Sequence, residues 1–136
     1  MNVIFPQVHI LDKEIIYTND SPKPIGPYSQ AIRVENLVFT SGQIGLDPLT
    51  NTLPVGIENQ TEKAMKNIRN ILLKSGVDYS DVVNTRIYLT NLSDFPTVNN
   101  IYANHMGSSA PARSTIQVSG LPKGALIEIE MVAYRP

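Results

Sequence analysis

A chain of 136 residues, 42% hydrophobic and 17% charged, holds enough apolar material for one compact domain with a modest core. Its net charge of -1, with 11 Lys and Arg scattered along the chain, excludes the basic field by which proteins grip nucleic acid or an anionic membrane. Zero cysteines exclude disulfides, thiolate nucleophiles and zinc–thiolate clusters, and no apolar run reaches the ~20 residues of a membrane span.

Residues 1–13 lack the basic start of a secretory signal and carry a proline in their short apolar run. They read as an N-terminal extension to a single domain over residues 14–136. The missing cysteines fit a reducing compartment, so a cytoplasmic location is expected, with an organellar one left open by the extension. Residues 14–18 (EIIYT) read as a short strand, and the prolines of 19–27 as a loop. Strands follow over 29–34 and 37–41, joined by a tight turn at Glu35 and Asn36. Residues 42–54 read as a long loop.

Residues 57–75 form the clearest helix, with Ile57, Ala64, Met65, Ile68, Ile71 and Leu72 at three- and four-residue spacing and Gly76 as the stop. Val83, Thr85, Ile87 and Leu89 alternate with Asn84, Arg86 and Tyr88, the period of a half-buried strand. Ser93 or Asp94 is placed to cap a second helix with an apolar stripe of Phe95, Val98, Ile101, Tyr102 and Met106, ended by Gly107. Pro96 fits that helix because it falls in the first turn. Strands over 113–119 and 126–134 close the chain. The last one puts Ile127, Ile129, Met131 and Ala133 on one face. Two helices over about five or six strands make an α+β domain. One sheet face would lie under the helices, and the bare face favours an oligomer.

Few residues offer chemistry. His9 and His105 stand far apart without ligand-like neighbours, so no metal site is expected. Ser41, Ser114 and Thr115 lack a histidine base, and no nucleotide fingerprint is present. Arg113 follows the stiff lead-in Ala110-Pro111-Ala112. Its planar fork matches a carboxylate, although a surface ion pair would use it equally well. Glu128 and Glu130 share one strand face at ~6.6–6.8 Å. That spacing suits the carboxylate pair of an inverting glycosidase, or simply a solvated face, and nothing else suggests a sugar cleft. Tyr28, behind Gly26 and Pro27, could offer a phenol to a pocket or pack under its loop. Gly42 would let a ligand approach the backbone, or make a bulge. Asn99, beside the apolar stripe, could point into a cleft at the helix–sheet seam.

Five runs in order carry a family resemblance: residues 25–31 (IGPYSQA), 40–44 (TSGQI), 94–99 (DFPTVN), 110–114 (APARS) and 121–130 (LPKGALIEIE). Together they resemble the reactive-intermediate deaminases, the Rid or YjgF-like family, from about residue 14 to the end. The resemblance implies a chorismate-mutase-like fold: a mixed sheet with two helices on one face, assembled as a homotrimer with sites in the clefts between subunits. It implies a hydrolase active in metabolite damage control. The substrates would be small 2-imino acids such as 2-iminobutanoate and 2-iminopropanoate, or their enamine tautomers, shed by pyridoxal-phosphate enzymes. The products are 2-oxo acids and ammonia, with no cofactor. Arg113 matches the substrate-carboxylate arginine and Glu128 the residue that orients water. Tyr28, Gly42 and Asn99 match pocket positions. Thr115 departs from the pattern, because many relatives carry Cys two residues after the arginine. It lines the expected substrate pocket, and substrate size preference would follow it. Some members have been described as ribonucleases or translation inhibitors, and a non-catalytic ligand-binding or chaperone-like trimer is a further alternative. The dispersed charge argues against nucleic acid as a partner.

Overall fold

The computed structural model describes residues 12–108 and 110–136 of the chain. The expected N-terminal extension, with His9, lies outside the described residues except for Asp12 and Lys13. The strands are β1 (Lys13–Ile16), β2 (Ala31–Val34), β3 (Leu37–Thr40), β4 (Gln43–Ile44), β5 (Val82–Leu89), β6 (Ala112–Gln117) and β7 (Ile127–Tyr134). The helices are α1 (Ile57–Lys74) and α2 (Phe95–Met106). All strands join one sheet in the order β1-β2-β3-β7-β5-β6, with β4 also on β7. Only β5 and β6 run parallel, so the sheet is mixed as expected.

The helices cover one face. Met65, Ile68, Ile71 and Leu72 of α1 meet Ile87, Leu89, Ile127, Ile129 and Met131, all of them at most 1% exposed. Burying each such side chain contributes roughly 1.5–3 kcal/mol. α1 ends in a Schellman turn: Gly76, at φ +84°, lets the Val77 amide return to Leu72 O and its own amide to Leu73 O, both 3.0 Å. The other face leaves Leu37, Phe39, Ile116 and Tyr134 more than a third exposed.

Three local expectations need correction. The segment after Gly42 is not all loop, because Gln43 and Ile44 pair with Ile129 and Glu128. β3 and β4 thus follow one another along the same edge of β7, and the chain between them opens at Gly42. There Thr40 Oγ1 accepts the Met131 amide (3.0 Å) in place of a ladder partner. The alternation assigned to Val83 is out of phase. A bulge between Val82 and Asn84 buries Val82 (6% exposed) and turns Val83 outward (47%). Neither Ser93 nor Asp94 caps α2 with its side chain. Asn91 instead accepts the Ser93 amide at 3.0 Å and starts a 3₁₀ turn, Leu92–Asp94, that runs directly into α2.

Buried amides, which sequence periodicity does not flag, hold the irregular segments in place. Asn67 of α1 donates to Ile44 O (3.1 Å) and Leu46 O (2.8 Å). Gln60 donates to Pro54 O and accepts the Leu126 amide. Gln30 satisfies Thr18 at both its N–H (2.7 Å) and its C=O (3.0 Å). Gly45 lets the chain lie on α1, since a Cβ there would meet the Gln60 backbone at 2.4 Å.

Candidate active site

The residues singled out from sequence fall into two groups. The first forms around Arg113 on β6. Phe95, Asn99, Tyr102 and Met106 recur along one stripe of α2, and that stripe lies over β6. Asn99 Oδ1 accepts a hydrogen bond from Arg113 Nη2 at 2.7 Å. The guanidinium carbon sits 4.9 Å from the Tyr102 ring centroid and 5.5 Å from that of Phe95, within cation–π range. Tyr102 is itself fixed, its hydroxyl donating to Thr85 Oγ1 at 3.0 Å, and burial pushes its phenol above the ordinary range. Arg113 opens on a cavity of about 530 Å³ shared with Asn99, Tyr102, Ala103 and Ala110. The remaining N–H groups of the fork are of the kind that hold a carboxylate in two places.

The second group forms where β3 gives way to β4. Tyr28, Gly42 and Glu128 line two adjoining cavities, one of about 470 Å³ with Pro122 and Glu130, the other of about 260 Å³ walled by Ile25, Ile44 and Leu46. Glu128 packs against the Gly42 backbone so closely that a Cβ there would lie 2.6 Å from its Cδ. That contact gives Gly42 its reason to be glycine. Burial first, and the Glu130 charge second, raise the Glu128 carboxyl above its ordinary value of 4.5. Among the described residues no side chain or amide donates a hydrogen bond to it. Tyr28 is 48% exposed, with its hydroxyl oxygen accepting the Ile25 amide at 3.2 Å.

The two groups occupy opposite faces of the sheet. Arg113 sits opposite Thr85 and Thr115 opposite Ile87, and Thr85 and Ile87 point into the helix layer. Glu128 sits opposite Tyr88, one residue out of phase, and directly opposed residues share a face while neighbours alternate. One chain therefore brings Arg113, Asn99 and Thr115 to its helix side and Tyr28, Gly42 and Glu128 to its bare side. Thr115 contributes a buried hydroxyl that has no hydrogen-bond partner among the described residues.

Sequence reasoning missed Phe95 and Tyr102 as arginine-holding groups, because both fit the apolar stripe of a core helix. The available signal was Asn99, a polar residue inside that stripe. Among the described residues, no group of three or more His, Cys, Asp or Glu side chains is placed to hold a metal, and no helix is long and apolar enough to cross a membrane.

Residues 18–135 match the family model described as Endoribonuclease L-PSP. The chain is 52% identical over 122 residues to the Reactive Intermediate Deaminase A, chloroplastic, of Arabidopsis thaliana, covering 89% of this chain and 65% of that one. It is 43% identical over 124 residues to the 2-iminobutanoate/2-iminopropanoate deaminase of Mus musculus, covering 90% and 92%. The solved structure of RidA from an Antarctic Psychrobacter superposes with a TM-score of 0.88 at 40% identity, over 90% of this chain and 99% of that one. With so much of its length matched, the chain belongs to the L-PSP endoribonuclease family, also called YjgF/Rid.

Proposed function

We propose that the chain is a hydrolase that converts small 2-imino acids, 2-iminobutanoate and 2-iminopropanoate among them, to 2-oxo acids and ammonia. The carrying observation is the Arg113 fork, held by Asn99 over two aromatic rings with open space beside it. Relatives named 2-iminobutanoate/2-iminopropanoate deaminase match over about nine-tenths of this chain. In this reading Arg113 clamps the substrate carboxylate and sets the C=N carbon in position. Glu128 accepts a proton from water and aims its oxygen at that carbon, forming a carbinolamine. Its collapse breaks the C–N bond and releases ammonia. An imine is already electrophilic, so positioning and modest base assistance are enough.

Because Arg113 and Glu128 lie on opposite faces, the working site takes Arg113, Asn99 and Thr115 from one copy and Tyr28, Gly42 and Glu128 from another. A closed homotrimer supplies such pairs by symmetry, and the exposed Leu37, Phe39, Ile116 and Tyr134 give its bare face something to bury. A cytoplasmic location and a role in metabolite damage control belong to the same reading, since free imines must be met where they are released.

The test is a coupled assay. A dehydratase and threonine supply imine, semicarbazide traps it, and the protein should suppress trapping. An Arg113→Ala variant that suppresses trapping as fast as the parent overturns the mechanism. Mixing Arg113→Ala with Glu128→Gln chains, unfolded and refolded together, should restore roughly a quarter of parental activity if sites span two copies of a randomly mixed oligomer. No restoration removes the two-copy site. The family description favours ribonuclease activity as a second reading. The net charge of -1 supplies no phosphate footprint, and RNA cleavage that survives Arg113→Ala in homogeneous protein would revive it.

A further inference from the structure

The second glutamate of the Ile-Glu-Ile-Glu run has no part in the reaction as outlined, yet it opens on the same cavity as Glu128. It is also the better anchored of the two. Tyr88 stands directly across the ladder from Glu128 and Arg86 across from Glu130. The Tyr88 hydroxyl nevertheless reaches diagonally to donate to Glu130 Oε1 at 2.6 Å, and Arg86 Nη1 lies 3.6 Å from the same oxygen. Glu130 thus takes the donors that β5 offers and Glu128 receives none. Two carboxylates facing one cavity, one of them fixed and the other unpaired, resist carrying two negative charges at once.

We propose that Glu130, tied down by Tyr88 and Arg86, is a positioning residue whose fixed carboxylate beside Glu128 keeps Glu128 ready to take up and return a proton. The charged and titratable groups facing Glu128 are Glu130 on its own strand, Arg86 and Tyr88 on β5, and Lys23 and Tyr28 on the loop before β2. Arg86 and Lys23 would favour the ionised form, but Arg86 makes its ion pair with Glu130. The Glu130 charge works alongside burial in the other direction.

The kinetic part of the proposal rests on the imine-hydrolysis reading, where it supplies a step otherwise missing. Water adds its oxygen to the carbon of the protonated imine and leaves a proton on Glu128. Glu128 then gives that proton to the carbinolamine nitrogen. As the C–N bond breaks with its electron pair leaving on ammonia, Glu128 takes the hydroxyl proton, and the 2-oxo acid is formed. The proton passes finally to ammonia, and Glu128 returns to its starting state. A base that only accepted protons would stall after the first transfer.

The test follows the Glu128 carboxyl by NMR in the full-length protein labelled with carboxyl-¹³C glutamate, the signal being assigned by its loss in Glu128→Gln. In Glu130→Gln the Glu128 midpoint should move down toward the ordinary carboxylate value. In Glu130→Asp, which keeps the charge, it should stay raised. Tyr88→Phe leaves the Glu130 charge in place but no longer holds it beside Glu128; it should lower the midpoint by less than Glu130→Gln does, and it serves if Glu130→Gln folds poorly. In the trapping assay the acid limb of kcat/KM should shift to lower pH in Glu130→Gln, with KM changed less than kcat. A Glu128 midpoint that does not move in Glu130→Gln or in Tyr88→Phe overturns the proposal, whatever the activity. A moved midpoint in a protein that never hydrolyses imine would remove the deaminase reading and leave the carboxylate pair standing.

Discussion

The two halves of the candidate site are built by opposite strategies. Around Arg113 every contact is attractive: an amide oxygen at 2.7 Å and two ring faces within 5.5 Å hold the guanidinium where a carboxylate would meet it. Around Glu128 the environment is adverse, since it is half-buried beside a second carboxylate and receives no hydrogen bond among the described residues. A clamp gains from being fixed before substrate arrives, because ordering it later would cost binding energy. A group that must exchange a proton gains from having neither form strongly preferred. Under the proposed reading, recognition is prepaid in the contacts of α2 with Arg113, whereas reactivity is kept by withholding partners on the bare face of β7.

The comparison can be broken at several points. The largest effect is expected at the clamp. Arg113→Ala should cost about 3 kcal/mol or more of transition-state stabilisation, at least two orders of magnitude in kcat/KM. Arg113→Lys should recover little of it in the trapping assay, because an ammonium has neither the fork nor the stacking plane. A lysine variant close to the parent would mean that charge alone matters. Next comes Gly42→Ala, whose methyl must displace the Glu128 carboxyl from a position only 2.6 Å away. It should lower kcat roughly tenfold to a hundredfold and leave affinity for 2-oxobutanoate, measured by calorimetry, nearly unchanged. An unaltered kcat would show that Glu128 need not be held against the backbone.

Smaller effects separate packing from chemistry. Tyr102→Phe keeps the ring under Arg113 and loses only the bond to buried Thr85 Oγ1. It should destabilise by about 1–2 kcal/mol in urea unfolding and leave KM near the parental value. A large rise in KM would assign the hydroxyl to the substrate instead. The smallest effect is thermodynamic. Folding raises the Glu128 carboxyl, so between its ordinary and its raised value the native state binds more proton than the unfolded chain. Stability is then lost as pH rises through that window. Glu128→Gln should accordingly melt slightly higher than the parent at neutral pH, the gain closing as pH falls below the ordinary value of 4.5. An equal Tm at both ends would mean that the carboxyl is not desolvated.

What could be read in the sequence was whatever repeats. α1 announces itself by Ile68, Ile71 and Leu72 at helical spacing, and β7 by alternation from Ile127 to Ala133. The α+β arrangement follows from those elements and is the one observed. What could not be read was set by single contacts across long separations. Val83 looked inward because alternation is extrapolated from Thr85 and Ile87, and only the bulge reverses it. The strand Gln43–Ile44 is invisible because two residues have no period; it exists because β7 offers an edge and Asn67 holds the next turn. At the candidate site, Arg113 and Glu128 stand out in the sequence as candidate chemistry and as family motif, but not as residues of opposite faces. That required the pairing register Arg113–Thr85 and Glu128–Tyr88, which no local pattern encodes.

That opposition of faces carries a consequence for dosage. If clamp and base come from different copies, a lone chain holds substrate it cannot convert and poises a base over nothing. Specific activity is then a function of protein concentration, falling on dilution as the assembly comes apart by mass action and returning when the chains are concentrated again. A newly made chain would be chemically silent until it met its own kind, so the concentration of the protein, rather than any ligand, would set the threshold at which the reaction begins.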